Sequence, residues 1–146
     1  MIIVTLDTNV LVSGIVGYSQ EASTPGSILR RFRAHTFHLI ISKNIQDELD
    51  KTLGKPYFNQ RLGDYRTSEI YGFVSQRAKQ ISITFPVHGI ATHVQDDLVL
   101  ATAVSGNADY LVTGDQGLLS AGSYRGVMIM TPRSFLDILD NAINLP

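Results

Sequence analysis

The opening stretch, MIIVTLDTNVLVSG, constrains the fold more than any other part of the chain. Ile2 to Leu6 is a run rich in apolar and β-branched residues, without the polar alternation of a half-exposed strand. Such a run reads as a strand buried on both faces, as in a parallel sheet. It stops at a carboxylate, Asp7, followed by the capping types Thr8 and Asn9 and a second apolar run, Val10 to Val12. That order reads as a tight strand-to-helix turn. A carboxylate therefore stands at the carboxyl end of the first strand, the edge where open α/β sheets bind ligands.

The rest of the chain alternates strands and helices. Gly14 to Thr24 is small and polar and reads as a loop at the same edge. Thr24-Pro25 begins a helix, with a capping hydroxyl and proline at its first position. Its apolar side carries Ile28, Leu29 and Phe32, and Arg30, Arg31 and Arg33 form a solvated face. Phe37 to Ser42 is a second strand, and Ser42 caps the next helix, which Gly54 ends. Glu48 lies on or beside the Ile45, Leu49, Leu53 stripe of that helix, so a carboxylate near the core side needs an explanation. Two further helices are expected, a short one around Tyr57 to Leu62 and a longer one from about Ser68 whose buried face is Tyr71, Val74 and Ala78. Ile81 to Phe85 reads as a third strand and Pro86 to Val94 as an irregular connection. A helix follows with the stripe Asp97, Leu100, Ala101 and Val104, then a fourth strand from Tyr110 to Thr113 with Asp115 just beyond it. Val127 to Met130 is a fifth strand, and Thr131-Pro132 starts a last helix with Phe135, Ile138, Leu139 and Ala142 inward.

A chain of 146 residues suffices for a single domain spanning 1–146. It has no cysteine, which excludes disulfides and thiolate metal sites. Lysine and arginine total 12 against 13 acids, so no global charge argues for a nucleic-acid partner, although a local basic face would suffice. No apolar run approaches the roughly 20 residues that span a bilayer, and the expectation is a cytoplasmic protein with no membrane association.

Parallel strands joined by right-handed helical crossovers start every helix at the edge where the strands end. Asp7 and Asp115 follow strands one and four, Asp97 opens the helix leading into strand four, and Glu48 is near the start of the helix after strand two. If strands two and three wind to one side of strand one and strands four and five to the other, strands one and four flank the switch point and the acids share its crevice. Clustered carboxylates need protonation or a cation. Hard oxygen donors without cysteine or paired histidine favour Mg²⁺ or Mn²⁺. Such an ion suits phosphodiester hydrolysis, by activating water and stabilising charge on the phosphate.

In these segments the chain resembles the PIN domain family, ribonuclease-like proteins that include many toxins of toxin-antitoxin pairs. The segments are LDTNVLVSG, SKNIQDELDKTL and QDDLVLATAVSGNADYLVTGD, in order across nearly the whole chain. Each is weak alone; together they are fairly specific. The resemblance implies a three-layer α/β/α fold with a five-stranded parallel sheet, often dimeric. It makes Asp7, Glu48, Asp97 and Asp115 the catalytic and metal-binding acids, with Asp96 an additional candidate ligand, and Asn9 and Thr113 polar supports for a carboxylate or a water. It also implies RNA as substrate, an antitoxin protein as partner and a homodimer or higher homo-oligomer. Family members often carry further acids where this chain has His93, Val94 and Gln95, and another where it has Gly117.

Plainer roles compete for the same residues. Asp7 serves as an N-cap, Asp96 or Asp97 as an acid at a helix N-terminus, and Asp115 as a turn residue. Glu48 can reach solvent from the flank of its stripe. His35, His38, His88 and His93 lack metal-ligand spacing and read as structural or exposed, although His93 is near the acids. Tyr57, Phe58, Tyr65 and Tyr71 pack the middle helices or form part of a dimer face. The leading expectation is a metal-dependent endoribonuclease and toxin. The alternative is a catalytically weak or inactive PIN-like module that binds RNA or protein. An α/β phosphatase or phosphoacceptor is disfavoured, since no D-x-D turn follows a strand and no lysine ends one.

Overall fold

The computed structural model describes residues 1–55 and 65–143. The helix expected around Tyr57 to Leu62, and with it Tyr57 and Phe58, lies outside the described residues. In chain order the elements are β1 (Ile3–Leu6), α1 (Thr8–Val16), α2 (Thr24–Arg33), β2 (His38–Ser42), α3 (Lys43–Leu53) and α4 (Tyr65–Arg77). They continue with β3 (Lys79–Ile81), α5 (Val94–Ser105), β4 (Tyr110–Val112), α6 (Gln116–Ala121), β5 (Ser123–Tyr124), β6 (Val127–Met130) and α7 (Pro132–Ile143).

The strands form a six-stranded sheet in the order β3-β2-β1-β4-β6-β5. All neighbours are parallel except β5 and β6. β2 and β3 wind to one side of β1, and β4 and its followers to the other, so β1 and β4 flank the switch point as the alternation requires. The sheet is flanked by helices; α5 lies against β1, β2 and β4, and α1 against α2. Val4, Leu6, Leu111 and Val112 are buried, which is what two covered faces demand of a central strand. Phe37, just before β2, packs edge-on against Phe135 of α7 at 5.3 Å between ring centres.

Six strands replace the expected five because a hairpin adds one. Arg125 and Gly126 both have positive φ, 47° and 87°. That pair makes the two-residue turn that folds β5 back on β6. Strand three lies earlier than the Ile81–Phe85 pattern predicts. Lys79–Ile81 pairs with β2, after which the N–H groups of Thr84 and Phe85 donate to Ser105 Oγ instead of to a strand.

Smaller differences have local causes. The loop expected from Gly14 begins later, because α1 runs on to Val16. Ser23, not Thr24, caps α2, its hydroxyl accepting from Gly26 N–H. Ala142 is exposed and Tyr71 only half-buried, with the Tyr71 hydroxyl donating to Asp50. The arginines of α2 are engaged with the protein: Arg30 donates to Tyr18 O, Arg31 pairs with Asp140 and Arg33 with Glu69. Among the described residues no helix is long and apolar enough to cross a membrane.

α1 and α2 cross closely because glycine lies at the contact. A Cβ on Gly26 would stand 2.3 Å from the Gly17 carbonyl oxygen, a backbone atom that no rotamer change can move aside. Gly26→Ala should therefore cost about 1–3 kcal/mol, the usual penalty of overpacking, read by urea unfolding. An unchanged midpoint would show that this crossing tolerates separation.

Candidate metal centre

The site begins with strand register. β1 and β4 pair so that Leu6 faces Val112, and Asp7 N–H donates to Val112 O at 2.9 Å. The next residues of the two strands, Asp7 and Thr113, are thereby neighbours. The Thr113 hydroxyl donates to Asp7 Oδ2 at 2.6 Å and accepts from Asp115 N–H at 3.0 Å. One fully buried hydroxyl thus ties the two strand-end acids together.

Each acid then has one oxygen fixed. Asp115 caps α6, with Oδ2 accepting from Leu118 N–H and from Thr92 N–H. Its Oδ1 faces His93 Nδ1 at 3.4 Å. Asp7 is 3% exposed, and its Oδ1 is buried without a hydrogen-bond partner. Asp96 joins them from the first turn of α5, with Oδ2 3.9 Å from His93 Nδ1. One potential ligand atom each from His93, Asp96 and Asp115 falls within a 4.8 Å span.

These carboxyls shift one another. Burial pushes the Asp7 carboxyl up, more than the Thr113 bond and the nearby Asn9 and Thr8 N–H groups draw it down. Burial also raises Asp96, and the charges of Asp7 and Asp115 push it further, to about 6, with His93 opposing. Burial would raise Asp115 too, but the N–H groups of Thr92 and Leu118 and both polar contacts of His93 outweigh it and leave that carboxyl low. One acid holding a proton beside another that does not is the usual resolution of crowded carboxylates.

A cavity of about 480 Å³ opens here, lined by Asp7, Asn9, Glu48, Lys51, His93 and Asp96 among others. Glu48 is exposed on its wall, three residues before Lys51 on α3, rather than core-facing. Asn9 is exposed at the mouth. Asp97 differs from the expectation of convergence. It is buried on the core side of α5, as its stripe predicts, but that side faces the 89–91 loop. There Oδ2 accepts from Gly89 N–H, and Oδ1 from Ile90 N–H and Ala91 N–H. Asp96, about 100° further round the helix, faces the crevice with Val99. Lys51 and His93 also line the cavity; the sequence pattern placed His93 near the acids but did not single out Lys51. The available signals were the i, i+3 spacings of His93 with Asp96 and of Glu48 with Lys51.

A buried carboxylate oxygen without a hydrogen-bond partner, Asp7 Oδ1, is what a cation would satisfy; Asp7 lines the same cavity as His93 and Asp96, which with Asp115 group hard oxygens and an imidazole. The arrangement can hold a divalent ion at the carboxyl edge of a parallel sheet, beside an open crevice.

An α/β domain with an acidic notch at its switch point is the class that fold and site define together. The chain belongs to the PIN domain family, whose model matches residues 3–117; members of this family are generally nucleases. Among solved structures it is similar to VapBC2 from Rickettsia felis, bound to a DNA fragment from their promoter, with a TM-score of 0.54. That match covers 88% of this chain and 97% of the other at 17% identity, a likeness of fold. No curated protein matches the chain at a significant level.

Two outcomes test the site's energetics. Thr113→Val leaves Asp7 Oδ2 and Asp115 N–H without their partner and should cost about 1–3 kcal/mol in chemical unfolding, with Thr113→Ser recovering most of it. The folded chain also holds the Asp96 proton more tightly than the unfolded chain. That contribution is fully present below the ordinary value of 3.8 and is lost as pH rises through about 6. Asp7 acts in the same direction. Asp115 acts oppositely, its contribution being lost as pH falls below the ordinary value. In chelator-treated protein, Asp96→Asn should flatten the decline between pH 4 and 7 and raise stability at pH 7 by about 1 kcal/mol, after allowance for solvent screening. A variant less stable than wild type at pH 7 would contradict this sign.

Proposed function

We propose that this chain is a metal-dependent endoribonuclease, the toxin of a toxin-antitoxin pair, whose divalent-cation site is built on Asp7, Asp96 and Asp115. The carrying observation is Asp7 Oδ1, buried and unpartnered in the crevice where Asp96 and Asp115 also gather. A bound Mg²⁺ or Mn²⁺ would neutralise these acids, polarise the phosphate and make water a stronger nucleophile. Thr113 holds Asp7 and Asp115 in register, so neither carboxylate must reorganise during reaction. Hydrolysis forms a bond from a water oxygen to phosphorus as one ester P–O bond breaks. In this reading Glu48, on the crevice wall, takes the proton from that water, and the leaving ribose oxygen is protonated from solvent. Lys51 on the same wall meets the RNA phosphates. Asp97, committed to three N–H groups, positions the 89–91 loop. Likeness of fold to the VapBC2 structure supports the antitoxin partner.

A second reading, a module that holds RNA or protein without cutting it, is favoured by Gly117, where family members often carry an acid. Purified protein should cleave single-stranded RNA with Mn²⁺ or Mg²⁺ and stop on chelation. Asp7→Asn should slow cleavage by about a hundredfold or more with an unchanged circular dichroism spectrum. Cleavage by Asp7→Asn at the wild-type rate would overturn the mechanism. Absence of saturable Mn²⁺ binding at millimolar concentration, by calorimetry, would support the module instead.

A further inference from the structure

We propose that His93 is a nitrogen ligand of this cation site and makes the chain select a first-row transition ion such as Mn²⁺ over Mg²⁺; the inference rests on the cation-site reading above. The first argument is geometric. His93 Nδ1 lies 3.4 Å from Asp115 Oδ1 and 3.9 Å from Asp96 Oδ2. Metal–ligand bonds of about 2.1 Å set donor atoms roughly 3–4 Å apart, so one ion fits among them with little movement. Asp7, more than nine-tenths buried, lines the same cavity as His93 and Asp96, and its Oδ1 is without a hydrogen-bond partner, which gives independent reason for a cation there.

The second argument concerns how His93 is delivered. The loop before it is fastened by hydrogen bonds that do not involve the imidazole. Asp97 takes the N–H groups of Gly89, Ile90 and Ala91, and Asp115 Oδ2 takes that of Thr92. Gly117 N–H donates to Thr92 Oγ1 at 2.8 Å. A Cβ on Gly117 would lie 2.5 Å from Thr92 N and 2.7 Å from Ile90 O, both backbone atoms. The glycine is thus what allows the loop to lie against α6 and set His93 over Asp115. Where a side chain at this position would keep the loop away, the chain has a loop that brings an imidazole.

The consequence is chemical. Mg²⁺ takes oxygen donors and gives up water reluctantly, whereas first-row transition ions gain from an imidazole among their donors, Mn²⁺ least and the later ions more. A site with one nitrogen among its donors gains affinity for those ions and little for Mg²⁺.

The test uses the full chain in a nitrogen-free buffer, with Mn²⁺ and Mg²⁺ each alone as probe. His93 is 79% exposed at its side chain, so His93→Ala should fold as wild type. Pulsed electron paramagnetic resonance of the Mn²⁺-loaded wild type should show modulation from a directly bound nitrogen. That signal should shift on ¹⁵N labelling and vanish in His93→Ala. By calorimetry, His93→Ala should weaken Mn²⁺ about tenfold or more and Mg²⁺ less than twofold. Absence of the nitrogen signal in loaded wild type, or equal weakening of both ions, would overturn the proposal. Wild-type Mn²⁺ affinity in His93→Ala together with its loss in Asp7→Asn would also overturn it, while leaving the cation site standing. If neither ion binds wild type saturably, the cation-site reading itself fails and this inference with it.

Discussion

The Thr113 hydroxyl is the interaction on which the site depends. It donates to Asp7 Oδ2, accepts from Asp115 N–H and is fully buried. It can do both only because β1 and β4 are adjacent and paired in a register that sets Asp7 beside it. A one-residue slip of either strand would turn Asp7 or Thr113 to the opposite face of the sheet. The register is in turn held by strands whose side chains are buried, among them Val4, Leu6, Leu111 and Val112. Hydrophobic burial therefore fixes the distance between two acids separated by more than a hundred positions of chain. The acids themselves could not do so, since their mutual repulsion opposes the arrangement.

Around that pair, every carboxyl has a distinct environment. The N–H groups of Thr92 and Leu118, with His93, draw Asp115 toward its ionised form, whereas burial pushes Asp96 and Asp7 toward protonation. The folded chain thus keeps groups in less favourable states than the unfolded chain would. Such local cost is tolerable only when the rest of the core is well packed, and it marks functional sites more often than structural ones. The Asp97 arrangement is the structural counterpart: a buried carboxylate whose two oxygens take three backbone N–H groups. Two adjacent aspartates on one helix therefore divide the work, one holding a loop and one facing the crevice.

Much of this was legible from residue pattern, and the misses have identifiable physics. Asp7 and Asp115 at strand ends, the switch point between strands one and four, and the Ser42 cap follow from apolar runs, capping types and crossover handedness. That Asp96 faces the crevice while Asp97 binds the 89–91 loop does not. Helical periodicity correctly puts Asp97 on the core side, but it cannot say whether that side meets the crevice or an overlying loop. The third strand was displaced because Ile81, Ile83 and Phe85 alternate as a strand does, while Ser105 on α5 captures the N–H groups of Thr84 and Phe85. No local signal announces that competition. The β5–β6 hairpin escaped because its turn uses Arg125 at positive φ, where asparagine or aspartate is the usual mark. Arg125 has compensation beyond the turn: its guanidinium lies 4.3 Å from the Phe85 ring centre, a tertiary contact invisible in a linear pattern.

Gly117 shows how a departure from a family pattern is to be weighed. Counted as a missing acid, it argues for a weaker site. Seen in place, it is the position on which the backbone of Ile90 to Thr92 rests, with no room for a Cβ. The glycine, the Thr92 hydroxyl that bonds its N–H, and Asp97 beneath the loop form one packing solution. Its result is that His93, not another carboxylate, stands against Asp115. Charge explains why such a solution is stable. Burial, and after it the charges of Asp7 and Asp115, already push Asp96 to about 6; a further acid would add to that repulsion, whereas the imidazole opposes it. The substitution of side chain and the placement of the loop are therefore mutually dependent, and either alone would leave the crevice with a clash or an uncompensated charge.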